Sequence, residues 1–316
     1  MTQAAVHRPL IVGDLDDPHV QAVRVALTAR GARPVILDLE SVMTAGLSIS
    51  DDRMVLRIDG ESLDLAERRG GWLRRMHRAP WGLGIETGSV EALELGTWHS
   101  AFTWMLDGEG ISWVTSPQTL RRAEGKLEQW KAARRLGIDY PRTLVTSSAE
   151  DVQAEFHDDV IVKPLGSGQF LQGGEVKTVY AEKMAPGDPR LSNLREAPFI
   201  VQELVDAQRH LRVVTVGDQV WVAALTTSSA DPADWRRTVA NHVAFVEAPD
   251  AIPCVATGAT AIADELALGY SSQDWVQTPE GRTVLLDVNP SGQWLFLPDA
   301  IGLGVAGALA DRIMVK

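Results

Sequence analysis

The sequence holds a single cysteine, Cys254, in 316 residues. That scarcity excludes an internal disulfide framework and any zinc or iron–sulfur site built from several thiolates. No run approaches the ~18 consecutive apolar residues of a membrane span. The opening residues lack the apolar stretch of a secretory signal, so a cytoplasmic protein with no membrane partner is expected. Positive charge is also short: Lys+Arg 30 against Asp+Glu 42 give a formal net charge of -12. A nucleic-acid binder relying on broad phosphate attraction is excluded on that ground. Lysine is the scarcest charge, confined to Lys126, Lys131, Lys163, Lys177, Lys183 and Lys316. Any lysine that falls inside a motif therefore stands out. What remains is ordinary for a globular chain, with 45% hydrophobic and 23% charged residues. The length suits two domains, or one α/β enzyme built in lobes.

The chain opens as a βαβ unit. Leu10-Ile11-Val12 is a short apolar strand, a helix runs to about Arg30, Gly31 ends it, and Val35-Ile36-Leu37 is the next strand. This is half of a doubly wound sheet. Its first turn has no G-x-G-x-x-G, so Asp38 is not expected to hold a dinucleotide ribose. Met54-Val55-Leu56 and Leu63 form a hairpin across Asp59-Gly60. Arg68, Arg69, Arg74, Arg75 and Arg78 cluster around Trp72-Leu73, either as a solvated basic face or as a site for phosphate or carboxylate. The helical stretch at 90–106 carries Trp98, Phe102 and Met105 at core spacing. Ser116-Pro117 is a helix start, and another helical pattern runs from Lys126 to Gly137, with Pro141 beyond it. A strand-rich region begins at Thr143. Units of 1–118, 119–200 and 201–316 are expected, with no internal repeat.

Three segments carry chemistry. Val160-Ile161-Val162-Lys163-Pro164 is a strand ending in lysine, followed by the glycine-rich Leu165-Gly166-Ser167-Gly168-Gln169. A lysine at the strand exit beside free backbone N–H groups suits a polyphosphate, although the order of residues is not that of a P-loop. Phe199–Val205 contains Gln202-Glu203, and the hairpin after it embeds Arg212 in an otherwise apolar strand. Such an arginine either faces out from a sheet edge or clamps charge from within. The third segment is a hairpin around Pro279-Glu280-Gly281-Arg282. With Thr278 facing Thr283, Asp274 lies opposite Asp287, their Cβ atoms roughly 4.5–5.5 Å apart. Asn289, two residues on, shares the face of Asp287. Opposed carboxylates repel, so the bare pair costs stability, and a divalent cation removes the objection. An all-oxygen Asp/Asp/Asn set suits Mg2+.

Taken together, Lys126, the Val-Lys-Pro strand with its glycine loop, Gln202-Glu203-Leu204-Val205, Arg212, and Asp274 with Asp287-Val288-Asn289-Pro290 resemble the ATP-grasp fold. The closer resemblance is to the graspetide, or microviridin-type, ligases that modify ribosomally made peptides. It is carried by Trp72-Leu73-Arg74-Arg75, Leu144-Val145-Thr146 and Asn289-Pro290-Ser291-Gly292-Gln293-Trp294. The resemblance spans nearly the whole chain. It implies an α/β, ATP-grasp architecture with an N-terminal Rossmann-like pre-ATP-grasp domain.

The resemblance also implies roles. Lys126 and Lys163 would contact ATP phosphates beneath a lid of Gly166, Ser167, Gly168 and Gln169, while Gln202, Glu203 and Val205 would line the adenine and ribose pocket. Arg212 would stabilise the transferred phosphoryl, Arg236 would sit near the acceptor carboxylate, and Asp274, Asp287 and Asn289 would hold Mg2+. The partner implied is a precursor peptide with a leader and an acidic core, and the assembly a homodimer. Gly125 stands where an Asn commonly precedes the lysine, His210 where an acidic residue is common, and Asp287 where glutamate is more frequent. The implied activity is ATP-dependent activation of Asp or Glu side chains as acyl phosphates, closed to ω-ester or ω-amide crosslinks. A ligase joining a free amino acid or amine to a peptide or small acid is the alternative. A nucleotide-binding protein without catalysis is a third, disfavoured because opposed carboxylates have no evident use there.

Overall fold

The computed structural model describes residues 7–314 apart from 52, 59, 66, 68, 77–83, 109, 167 and 227–233. Asp59, Arg68, Arg78 and Ser167, named above, lie outside the described residues. The first unit alternates strand and helix: β1 (Leu10–Val12), α1 (Pro18–Ala29), β2 (Val35–Leu37) and α2 (Leu39–Thr44). Asp38 caps α2, accepting from the Ser41 N–H while Ser41 Oγ accepts from its own N–H. A structural cap is thus what the acid at the end of β2 provides. An antiparallel sheet of β3 (Gly46–Ile49), β4 (Met54–Ile58) and β5 (Glu61–Asp64) follows. Then come β6 (Arg69–Leu73), α3 (Val90–Leu106) and β7 (Ile111–Trp113). The parallel sheet has the order β2-β1-β6-β7.

Helix α4 (Pro117–Ala123) starts on Ser116, whose side chain accepts from the Thr119 N–H. Helix α5 (Lys126–Leu136) begins directly at the first lysine of the chain. The central unit holds β8 (Thr143–Thr146), α6 (Ala149–Glu155), β9 (Val160–Pro164), β10 (Gln169–Gln172), β11 (Glu175–Thr178), β12 (Glu182–Met184) and β13 (Phe199–Glu203). Its antiparallel sheet runs β12-β9-β13-β8, and β10–β11 stands apart as a hairpin inserted between β9 and β12. Gly173 and Gly174 turn that hairpin with φ of 61° and 81°, the left-handed backbone that a two-residue hairpin loop demands.

The last unit comprises β14 (Arg209–Val216), β15 (Gln219–Thr226), β16 (Val246–Glu247), α7 (Ile252–Glu265), β17 (Tyr270–Gln277), β18 (Thr283–Asn289) and α8 (Asp299–Met314). Its antiparallel sheet has the order β16-β15-β14-β17-β18. Arg212 therefore sits on a central strand, buried, not at a sheet edge. The first and last units share their apolar cores: Ile11, Val20 and Leu27 pack with Val214, Trp294, Val305 and Leu309. The central sheet keeps a smaller core of its own around Val152, Phe156, Val162 and Val201. No helix among the described residues is long and apolar enough to cross a membrane.

Candidate active site

A cavity of about 590 Å³ opens between the central and last sheets. Lys126, Lys163, Gly166, Gly168, Gln202, Glu203, Val205, Arg236, Asp274 and Asp287 line it. The size and the mixture of apolar wall and converging charge suit a nucleotide-sized ligand. Arg212 and Asn289 stand behind this lining, each on a strand that borders it.

The two aspartates face one another, by a route the sequence conceals. At the hairpin end Gln277 pairs with Thr283, Val276 with Val284 and Trp275 with Leu285. That is one residue away from the expected Thr278–Thr283 pairing, and a straight ladder would have placed Asp274 opposite Leu286. A β-bulge between Trp275 and Asp274 absorbs the slip and leaves Leu286 unopposed, so Asp274 pairs with Asp287 after all. The bulge also brings the Leu286 carbonyl oxygen to 3.4 Å from Lys163 Nζ, an acceptor for a lysine that reaches across from the central sheet.

Each carboxylate has its own cation. Asp274 Oδ1 accepts from Arg212 Nη1 at 2.6 Å, the two residues being direct partners across β14 and β17. Asp287 Oδ1 accepts from Lys126 Nζ. The repulsion expected of the bare pair is thus offset within the chain. Burial raises the Asp287 carboxyl, but Lys126, Lys163 and Arg236 together hold it below the ordinary carboxylate range. Burial pushes the Lys163 ammonium down to about 8, opposed by Asp287 and Asp274 and reinforced by Lys126 and Arg236. A polyanion entering beside Lys163 would favour its charged form further.

The oxygen set fits Mg2+, which takes one or two carboxylates and completes its shell with water and substrate phosphates. Among the described residues no group of three or more His, Cys, Asp or Glu could hold a metal alone. Asn289 pairs with Ser272, and its Oδ1 already accepts the Ser291 N–H at 3.0 Å. Arg212 has a further donor: its Nε is buried with no partner among the described residues, while Nη2 reaches the Gln293 carbonyl oxygen at 3.2 Å. An unpaired buried donor on a guanidinium is a group prepared for an anion. Arg236 offers its fork to Asp234, Nε to Oδ1 at 2.8 Å and Nη2 to Oδ2 at 2.6 Å. This bonding raises its basicity and orients it at the cavity wall.

Sequence reasoning missed Gln129. It lies one turn beyond Lys126, wholly buried, and its side-chain amide mimics a strand. Nε2 donates to the Val288 carbonyl oxygen at 2.6 Å, and Oε1 accepts the Val288 N–H at 3.1 Å. The backbone between Asp287 and Asn289 is thereby held on both sides. The available signal was a glutamine on the face that α5 buries with Ala132 and Ala133.

No protein-family profile and no curated protein matches the chain. Solved structures do. A Chryseobacterium gregarium RiPP-associated ATP-grasp ligase, in complex with ADP and a leader and core peptide, superposes with a TM-score of 0.83 at 19% identity. That match covers 98% of this chain and 96% of that one. The macrocyclase MdnC of Microcystis aeruginosa, bound with precursor peptide MdnA, gives 0.80 at 20%, covering 98% and 100%. A RimK domain ATP-grasp protein of Sphaerobacter thermophilus gives 0.61 at 16%, covering 97% and 99%. At such identities the likeness shows the fold: the chain has the ATP-grasp fold.

Proposed function

From an ATP-grasp fold with this cavity, we propose that the protein is an ADP-forming ligase that activates Asp or Glu side chains of a ribosomal precursor peptide and closes them into ω-ester or ω-amide crosslinks. The observation that carries the reading is the convergence of Lys126, Lys163, Asp274 and Asp287 from four separate elements on one cavity beside Gly166 and Gly168, with Arg212 behind them bonded to Asp274. Neighbours of the same fold hold ADP with a leader and core peptide, or precursor, Mg and ADP, which supports both the nucleotide and the peptide.

In this mechanism Lys126 and Lys163 bind and orient the ATP phosphates, and Gln202, Glu203 and Val205 line the base and ribose end. A peptide carboxylate oxygen attacks the γ-phosphorus, ADP leaves, and an acyl phosphate forms. A Lys amine or Ser/Thr hydroxyl then attacks the acyl carbon, phosphate leaves with the electron pair, and the nucleophile loses its proton. Arg212, bonded to Asp274, offsets charge on the transferred phosphoryl, and Arg236, oriented by Asp234, holds the acceptor carboxylate. Mg2+ held by Asp274, Asp287 and Asn289 would add charge neutralisation at the phosphates. Positioning and electrostatics supply the acceleration, with no nucleophilic side chain of the enzyme required. These cations also reverse the local sign within an acidic protein, as an anionic substrate demands. Units 1–118, 119–200 and 201–316, a homodimer and a cytoplasmic setting belong to the same reading, and the small separate core of the central sheet supports the middle unit.

The test is ADP release with Mg2+ and candidate peptides rich in Thr, Glu, Asp and Lys, followed by mass spectrometry of the peptide. Peptide-dependent ADP release with loss of one water per crosslink is expected. Release driven by free amino acids or small acids instead would establish the alternative ligase, and binding without turnover a non-catalytic role.

A further inference from the structure

In an open parallel sheet, ligands bind in the crevice where neighbouring strand connections diverge. With the order β2-β1-β6-β7, that crevice lies beyond the C-terminal ends of β1 and β6, between Gly13–Asp17 and Arg74. Here the chain's own residues 291–295, the loop after β18, occupy it. Arg74 Nη1 donates to the Ser291 carbonyl oxygen and, at 3.4 Å, to that of Gly292. His19 Nε2 accepts the N–H groups of Trp294 and Leu295 at 3.1 and 3.3 Å. Asp17 joins the two, taking His19 Nδ1 at 2.9 Å and Arg74 Nε at 3.2 Å. Donors on one side and a carboxylate on the other make His19 neutral with its proton on Nδ1. The seat is tight: Trp294 is fully buried against the His19 ring, and a Cβ on Gly292 would lie 2.5 Å from Ser272 Cβ.

The clamped loop ends at Arg212. Gln293, between the residues held by Arg74 and those held by His19, gives its carbonyl oxygen to Arg212 Nη2. We propose that Asp17, His19 and Arg74 are positioning residues for Arg212, holding its guanidinium at the phosphoryl-transfer site from the far side of the loop. The proposal rests on the ligase reading of Arg212. A displacement of about 1 Å at such a group is enough to cost on the order of a hundredfold in rate.

The test uses the full chain with precursor peptide, ATP and Mg2+. His19→Phe keeps the ring packing on Trp294 and loses the acceptor, whereas His19→Gln retains an amide oxygen for the two N–H groups and an N–H for Asp17. Arg74→Lys shortens the reach to the loop carbonyls while keeping a charge for Asp17, and it carries the same test should His19→Phe fail to fold. Expected are faster hydrogen exchange at Trp294 and Leu295, a kcat lowered about tenfold or more, a KM for ATP within about twofold, and recovery of most of the rate in His19→Gln. The double variant His19→Phe/Arg212→Lys should be no slower than Arg212→Lys alone, because both act through one guanidinium. Additive losses, or fast exchange with unchanged kcat, would overturn the positioning role. Full turnover in Arg212→Lys would overturn it too, and would locate the failure in the ligase reading of Arg212, since the exchange measurement still reports on the loop.

Discussion

Two antiparallel hairpins border the same cavity and are built in opposite ways. In β10–β11 every residue is exposed, and the turn is a pair of glycines with positive φ. In β17–β18 most residues are buried, and side-chain amides brace the ladder. Gln129 bonds both backbone groups of Val288, and Gln273 bonds the Ala259 carbonyl oxygen and the Trp275 indole. A pair of opposed aspartates with their cations needs fixed geometry, since charge in a low-dielectric wall is costly unless each group keeps its partner. A flap that admits and covers a ligand needs the reverse, few buried contacts and a low local opening free energy.

The largest expected effect comes from breaking the rigid hairpin's charge. Asp287→Asn should lower peptide-dependent ADP release about a hundredfold or more at saturating Mg2+, the scale of losing one preorganised electrostatic group. Considered as a bare carboxylate pair, relief of repulsion would stabilise this variant. With Lys126 and Lys163 facing Asp287, removal of its charge leaves cations unpaired, so a lower thermal midpoint is expected. A raised midpoint would show that the repulsion dominates.

Removing the brace comes next. Gln129→Leu fills similar volume but leaves the Val288 N–H and carbonyl buried without partners, at about 1–3 kcal/mol for each unsatisfied group. Chemical denaturation should report that loss, together with weaker nucleotide binding, because Lys126 and Asp287 lose their common support. Equal stability would mean that Gln129 is incidental to the strand.

Acid separates the clamped loop from the flap. Burial keeps His19 below the ordinary imidazole value of 6.5, so below about that pH the unfolded chain takes up a proton that the folded chain refuses. Stability should therefore fall as pH drops through this range. Asp17 is also depressed, burial being outweighed by His19 and Arg74, and its contribution is lost lower down, below the ordinary 3.8. His19→Phe should flatten the upper limb. Thermal midpoints measured from about pH 7.5 to 5 decide this, and an unchanged upper limb would place the titration elsewhere.

The smallest effect is expected in the flap. Gly174→Ala introduces a Cβ where φ is 81°, at a local cost of about 1 kcal/mol. Global stability should hardly move, since the hairpin contributes little to either core. Hydrogen exchange in 169–178 should slow on adding ATP and Mg2+, and less so in the variant. Exchange unaffected by nucleotide would remove the covering role.

The local features were legible before the structure: the Ser116 cap, the start of α5 at Lys126, the strand ending in Lys163 and the hairpin carrying two aspartates. Each depends on residues a few positions apart, where propensity and capping act. The facing of Asp274 and Asp287 was legible as well, but not its cause. Turn residues do not reveal a one-residue slip or the bulge that cancels it, because both depend on how side chains pack on the two faces of the sheet.

By itself, then, the sequence determined the alternation of elements, the apolar faces and which residue types reach the ends of which strands. Only the tertiary structure decided that Lys126 pairs with Asp287, that Gln129 braces Val288 and that His19 holds the Trp294 loop, contacts spanning 161, 159 and 275 positions. Such pairings are chosen by the burial of whole sheets and helices against one another, a term that no local pattern of charge or hydrophobicity contains.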